Sequence, residues 1–208
     1  MIPQLQPEQI GEVLRTEAAL WRFLHHLMRS PDDKQWDWLQ QAETGEAWAL
    51  LAGLFPGSSV SSTIPRPASL KRYQEEYLHL FEVGAPAPPF PLLEHHWVKS
   101  RPPSKILSEN ARFYSHFGLR IAPGARETVD HLRYQLEFLA WVCEMGARLA
   151  DEGRLEQALQ ADRARGDFLG KHLLTWIPKL VHAVGQIPEP SWPFAWLGLV
   201  LRAAELGR

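Results

Sequence analysis

Apolar side chains recur along this chain every three or four residues, and no stretch shows convincing alternation at every second residue. The first spacing lines one face of a helix, whereas the second would line one face of a strand. The expected fold class is therefore all-α. A first helix is predicted over 7–29, with Ile10, Leu14, Ala18, Trp21, His25 and Met28 as its stripe. Ser30-Pro31-Asp32-Asp33 supplies a cap, a first-turn proline and acids for a second helix carrying Trp36 and Leu39. Thr44 is read as the cap of a third, apolar helix. A fourth presents Leu70, Tyr73, Tyr77 and Phe81 on one face, and another covers 108–117 and stops at Gly118. The longest is expected over 126–151, lined by Val129, Leu132, Leu136, Leu139, Cys143 and Ala150. Helices over 155–185, with Gly166 as the place where a break would fall, and over 193–206 complete the chain.

Proline and glycine interrupt this pattern. Residues 56–67 form a Ser/Gly/Pro loop, 84–91 hold four prolines and cannot be helical, and 119–124 are irregular. The expected architecture is a single-domain helical bundle over 1–208. Its two packed halves are joined by hinge-like Pro/Gly-rich connections near 82–104 and 118–126.

With 208 residues, 45% of them hydrophobic, the chain can bury a core without disulfide or metal. Its one cysteine, Cys143, points to a reducing compartment. A net charge of -2 gives no footprint for a nucleic-acid partner. The apolar runs at 48–55 and 194–201 are too short to span a bilayer. The opening has no signal-peptide pattern, and the absence of an Arg-Arg pair argues that the chain is not itself a twin-arginine export substrate. A cytoplasmic location, without stable membrane insertion, is expected.

Residues 73–97 contain Glu75, Glu76, Glu82 and Glu94 but no Lys or Arg, and interleave Tyr73, Tyr77, Phe81, Phe90 and Trp97. Carboxylates pair with guanidinium forks and aromatic rings cover apolar chains, so such a surface suits a ligand basic at one end and apolar at the other. Core aromatics beside a solvated acidic face give the same composition, and composition alone favours that simpler origin. Adjacent helical side chains diverge by about 100°, so Asp130 and His131 form no dyad by themselves. In a helix starting near 126, Asp130 would meet the positive end of the dipole. Glu137, seven residues later, would then share its face and place two acids in one groove. The nine histidines include the pairs His25-His26 and His95-His96, without metal-ligand spacing. Cys143 falls among apolar neighbours and reads as an inert core thiol. No nucleophile elbow, phosphate loop or dinucleotide fingerprint occurs, so neither catalysis nor a cofactor is expected.

Four segments, in order, resemble one family. They are Tyr77-Leu78-His79-Leu80-Phe81 with Gly84, Pro88-Pro89 and Glu94-x-x-Trp97; Phe113-Tyr114 with Phe117-Gly118-Leu119; Asp130-His131-Leu132 with Leu136-Glu137-Phe138-Leu139; and His172-Leu173 with Trp176-Ile177-Pro178. Together they resemble the TorD/DmsD/NarJ family of redox-enzyme maturation chaperones over 73–178. Two positions depart from the family pattern: His95 stands where it has Ser, and Phe90 where Trp is frequent.

The resemblance implies an all-helical protein without catalysis of its own. It would bind the twin-arginine leader and the apo-form of a molybdopterin-containing oxidoreductase subunit, assist cofactor insertion, meet the insertion machinery and delay export. Leu80, Phe81, Pro89, Phe90, Glu94, Trp97, Asp130 and His131 match positions used for peptide binding or for shaping that site; Glu137 joins them from its expected place beside Asp130. Monomer and domain-swapped dimer are both open, the latter through a hinge at 118–124. Two alternatives also stay open: a small helical metal-dependent enzyme using Asp130 and His131, and an assembly subunit that binds the mature reductase. The absent ligand spacing predicts that the purified protein carries no stoichiometric metal, and elemental analysis finding about one tightly held zinc or iron per chain would overturn this.

Overall fold

The computed structural model describes residues 7–55, 60–187 and 192–207. Its helices are α1 (Pro7–Leu27), α2 (Asp33–Gln40), α3 (Ala42–Gly53), α4 (Leu70–Tyr77), α5 (Glu94–Trp97), α6 (Pro103–His116), α7 (Leu132–Asp151), α8 (Leu155–Phe168), α9 (Leu174–Val184) and α10 (Trp192–Leu206). Two π-turns, Leu78–Glu82 and Leu169–Leu173, continue α4 and join α8 to α9. Among the described residues there is no strand, only an isolated antiparallel bridge between Leu93 and His131. The all-α expectation is met. The expectations for 1–6 and for 56–59 lie outside the described residues.

The helix boundaries follow local chemistry. Asp32 caps α2 by accepting the Gln35 N–H at 2.7 Å, and Ser69 caps α4 by accepting that of Arg72 at 3.2 Å. Gly118, at φ 75°, ends α6 in the left-handed conformation that a side chain disfavours.

Several boundaries differ from expectation. Thr44 is no cap: α3 begins two residues earlier, and the Thr44 hydroxyl donates to the Trp38 carbonyl at 2.7 Å. α6 begins at Pro103 rather than at 108, because proline at the first helical position costs no hydrogen bond. The Gly166 break does not occur; the chain instead widens into a π-turn at Leu169. α7 begins at Leu132 rather than 126, since 130–132 are held against 92–94 by backbone bonds. At 20 residues it is one shorter than α1.

α1 lies along α7, which also packs on α8, and α9 packs on α10. Ile10, Leu14, Ala18 and Trp21 of α1, Met28 just beyond it, and Leu132, Leu136, Leu139, Cys143 and Ala150 of α7 are buried in one apolar cluster, as their spacing requires, while His25 and Val129, the latter ahead of α7, are half-buried. Two aromatic groups brace it. Tyr73 meets Trp192 edge-on at 4.9 Å between ring centroids, and Phe138 lies 4.6 Å from Phe168.

Gly146 sits where three helices meet: a Cβ there would lie 2.8 Å from Leu14 Cδ1 and 3.1 Å from the Ala161 Cβ. Gly146→Val is expected to cost about 2 kcal/mol by overpacking, roughly 4–8 °C in Tm at this chain length. Thermal unfolding followed by circular dichroism checks it; an unchanged Tm would show that α1 and α7 separate freely at this crossing.

Candidate functional site

The site is built around two carboxylates that no solvent reaches. Asp130 precedes α7 and is fully buried. Its Oδ2 accepts both the backbone N–H of His95 and the His95 ring Nδ1–H, each at 2.8 Å, and its Oδ1 accepts the Thr128 hydroxyl at 2.7 Å. The Leu132 N–H donates to the Leu92 carbonyl at 2.8 Å, and the Glu94 N–H to that of Asp130 at 3.3 Å. Side chain and backbone together tie the entry of α7 to the short helix α5. His95, at the position where the family pattern has Ser, supplies two of these bonds.

Glu94 is the second buried carboxylate, with 0% of its surface exposed. Arg101 donates to Oε1 at 2.7 Å; Gln135 and Asn110 donate to Oε2 at 2.7 and 3.0 Å. The Nδ1 of His172 lies 3.1 and 3.0 Å from the two oxygens. The donors come from α6, α7, the second π-turn and the turn before α6. Arg101 also binds Glu109 at 2.8 Å and the Lys171 carbonyl at 3.2 Å, and the Trp176 indole donates to Gln135 at 3.0 Å. A buried carboxylate persists only when its charge is matched and its lone pairs are filled, and here both conditions hold.

Above this frame a cleft of about 670 Å³ opens between the first π-turn and the start of α7. Leu78, Phe81, Leu92 and His131 are among its lining residues, with Glu82 and Glu127 bringing carboxylates to it. Burial, then the charge of Glu127, raises the Glu82 carboxyl above its ordinary range, partly opposed by Arg126, which also lines the cleft, and by Arg133. Glu127 is paired with Arg133 at 3.6 Å and accepts the Tyr134 hydroxyl at 3.1 Å. Among the described residues Glu82 makes no ion pair.

The residues singled out from sequence divide between several places. Phe81 is buried against Tyr77 and lines the cleft with His131. Leu80 accepts the Phe90 N–H at 2.9 Å, which anchors the Pro-rich segment to the π-turn. Pro89 is exposed on that segment, and Phe90 is half-buried against the core. The Trp97 indole donates to the Pro91 carbonyl at 2.8 Å and holds the segment at the residue next to that anchor.

Glu94 and Asp130 lie beneath the cleft, and their oxygens are already taken. The expectation that they are free to fork a ligand's guanidinium is therefore corrected: Arg101 lies just beyond the Lys/Arg-free stretch and folds back onto Glu94. Asp130 and Glu137 do not share a groove either. Asp130 is not helical, so the seven-residue spacing does not apply, and Glu137 is exposed at a different cavity. Asp130 and His131 form no dyad, as expected. Sequence reading missed Arg101, Asn110 and Gln135. Polar residues on otherwise buried helix faces were the only signal for Asn110 and Gln135, and Arg101, in the turn before α6, had none. Cys143 is buried, and that burial drives its thiol far above the ordinary range, as an inert thiol requires.

His131 caps α7: its Nδ1 accepts the Arg133 N–H at 3.2 Å, which only an unprotonated Nδ1 can do. Burial, partly opposed by Glu127, lowers its pKa from 6.5 to about 4. The folded state thus binds the proton less well than the unfolded one. The stability contributed by the neutral ring is complete above pH 6.5, declines as pH falls toward 4, and levels off below that. His131→Asn, which can still cap, is expected to flatten the fall in Tm between pH 6.5 and 4. Melting curves across that window check it, and an unaltered slope would remove His131 from the acid response.

Comparison with known proteins places this geometry in a family. A family model described as nitrate reductase delta subunit matches residues 39–182. The chlorate reductase assembly chaperone protein of Ideonella dechloratans is 38% identical over 105 residues, covering 50% of this chain and 53% of that one. The selenate reductase assembly chaperone protein of Thauera selenatis is 36% identical over 106 residues, 51% of this chain and 54% of its own. The chaperone protein TorD of Vibrio cholerae is 34% identical over 89 residues, 43% of this chain and 36% of its own. The chain spans about half the length, or less, of these curated relatives. The family match takes in α3 through most of α9, with the carboxylate frame and the cleft lining apart from Ser30 and Pro31, and the chain belongs to the nitrate reductase delta subunit family, the TorD/NarJ family of its sequence motifs.

Proposed function

We propose that this protein is a cytoplasmic chaperone, not an enzyme. It binds the twin-arginine leader and the apo-form of a molybdopterin-containing oxidoreductase's catalytic subunit, assists cofactor insertion and delays export until maturation is complete. The observation that carries the proposal is the cleft, whose apolar residues Leu78, Phe81 and Leu92 stand beside the carboxylates Glu82 and Glu127. A leader of this class is basic at its start and apolar behind, and it would meet both features in order. A guanidinium arriving between Glu82 and Glu127 would offset the burial and the Glu127 charge that raise the Glu82 carboxyl, in competition with Arg126 on the same wall. The relatives named as reductase assembly chaperones support the same reading.

A binder rather than a catalyst is supported by how the polar residues are used. Asp130 is spent on His95 and Thr128, and the Nδ1 of His131 on a helix cap. No helix among the described residues is long and apolar enough to cross a membrane. In this proposal 1–208 acts as one unit, with the connections near 82–104 and 118–126 as its hinges. Glu94 and Asp130 hold the site in shape, while Glu82 and Glu127 receive the arginine pair.

Titration calorimetry with candidate leaders at two salt concentrations tests it. Binding should weaken with salt, since exposed charges are screened over about 8 Å at physiological ionic strength, while an apolar part survives with a negative heat-capacity change. Replacing the leader's two arginines by lysines, or Glu82 by Gln, should each cost affinity, because the bidentate fork is lost. Leaders that bind no better than scrambled peptides would overturn the proposal. A mature, leaderless reductase that binds as tightly as the leader-bearing apoprotein would replace it with an assembly-subunit role.

A further inference from the structure

A second cavity, of about 430 Å³, lies under the irregular connection between α6 and α7. Its walls include Leu119 and Ile121 of that connection, Tyr114 of α6, and Phe138 and Trp141 of α7. Nothing in the leader-binding proposal so far uses it.

Three observations define what it would accept. The first is continuity: Glu127 lines both this cavity and the cleft, and Tyr134, which lines the cavity, donates its hydroxyl to Glu127 at 3.1 Å. A chain leaving the cleft past Glu127 therefore reaches an aromatic and aliphatic wall. The second is charge. Arg22, Arg120, Arg133, Glu127 and Glu137 line the cavity; Arg22 is tightly paired with Glu144, Arg133 lies 3.6 Å from Glu127, and Arg120 and Glu137 are exposed. The lining thus carries charges of both signs and favours neither an anion nor a cation as a whole, and its aromatic and aliphatic wall suits apolar groups. The third is a free donor. The Trp141 indole Nε1 is buried and has no hydrogen-bond partner among the described residues. An extended peptide brings backbone carbonyls that need such a donor once they leave water.

We infer that this cavity is the second compartment of the peptide site, taking the apolar stretch that follows the leader's arginine pair while Trp141 donates to its backbone. The inference rests on the leader-binding reading of the cleft. It makes the connection at 119–125 part of the recognition surface, and Glu127 the boundary between a basic and an apolar subsite.

The test compares a full leader peptide with a short one that ends after the arginine pair. Ile121→Glu should weaken the full peptide about tenfold, as expected for losing one apolar anchor, and leave the short one unchanged. Trp141→Phe, which keeps the ring and removes the N–H, should weaken the full peptide by a smaller factor. Glu82→Gln should weaken both peptides.

A photoreactive leucine analogue in the apolar stretch provides a readout independent of variant folding. It should label residues within 114–141 of the unaltered protein. If labelling is confined to residues 78–93, or if Ile121→Glu and Trp141→Phe bind the full peptide normally while Glu82→Gln does not, the second compartment is disproved and the cleft stands. A full peptide that binds no better than its scrambled form overturns both readings.

Discussion

The Glu94 carboxylate sits in the protein interior, where an unmatched charge would not stay ionised. Its matching is distributed. Asn110 comes from α6, Gln135 from α7, His172 from the second π-turn and Arg101 from the turn before α6. Each of these elements is thereby set relative to α5, and α5 is tied through Asp130 and the Leu93–His131 bridge to the entry of α7. That arrangement explains how a Pro-rich segment without helical hydrogen bonds holds a defined path. It is fastened near its C-terminal end by two neighbouring bonds, the Phe90 N–H on the Leu80 carbonyl and the Trp97 indole on the Pro91 carbonyl.

Both π-turns lie at this frame. The wider turn at Leu78–Glu82 carries Phe81, which reaches the cleft and the Tyr77 ring, and Glu82, which stays exposed. The turn at Leu169–Leu173 presents His172 to Glu94. A π-turn is less favourable than a continuous α-helix and is commonly kept where a side chain has to be re-aimed. Here the compensation comes from the buried aromatic groups and the Glu94 cluster around them.

The acids of this region separate into two roles that composition could not distinguish. Glu94 and Asp130 are structural: their oxygens are filled from within, and their displacement would release several elements at once. Glu82 and Glu127 line the cleft beside Arg126, and Glu127 is already paired with Arg133. Family membership and the names of the relatives agree with a peptide- or subunit-binding role. The shared region is about half of those relatives or less, so it is the arrangement of this cleft that gives the proposed role its physical content.

The sequence by itself determined the fold class and much of the core. A 3.6-residue apolar period can be buried only along one side of a helix, and the stripes of α1 and α7 are buried as that geometry demands. It also located the Pro-rich segment and the stop at Gly118, because proline and glycine act through the local backbone. Phe81, Glu94, Trp97, Asp130 and His131 could also be singled out along the chain, and the structure brings Phe81 and His131 to one cleft. Only the tertiary structure decided which of these are enclosed and which border the cleft. Whether Glu94 is free depends on Arg101, which folds back onto it, and on Gln135 and His172, brought from 41 and 78 residues away. Whether Asp130 shares a face with Glu137 depends on where α7 begins, which is set by pairing with residues 92–94 rather than by any local signal. Helical period and capping are short-range and can be read along the chain; the matching of a buried charge is long-range and exists only once the helices have packed.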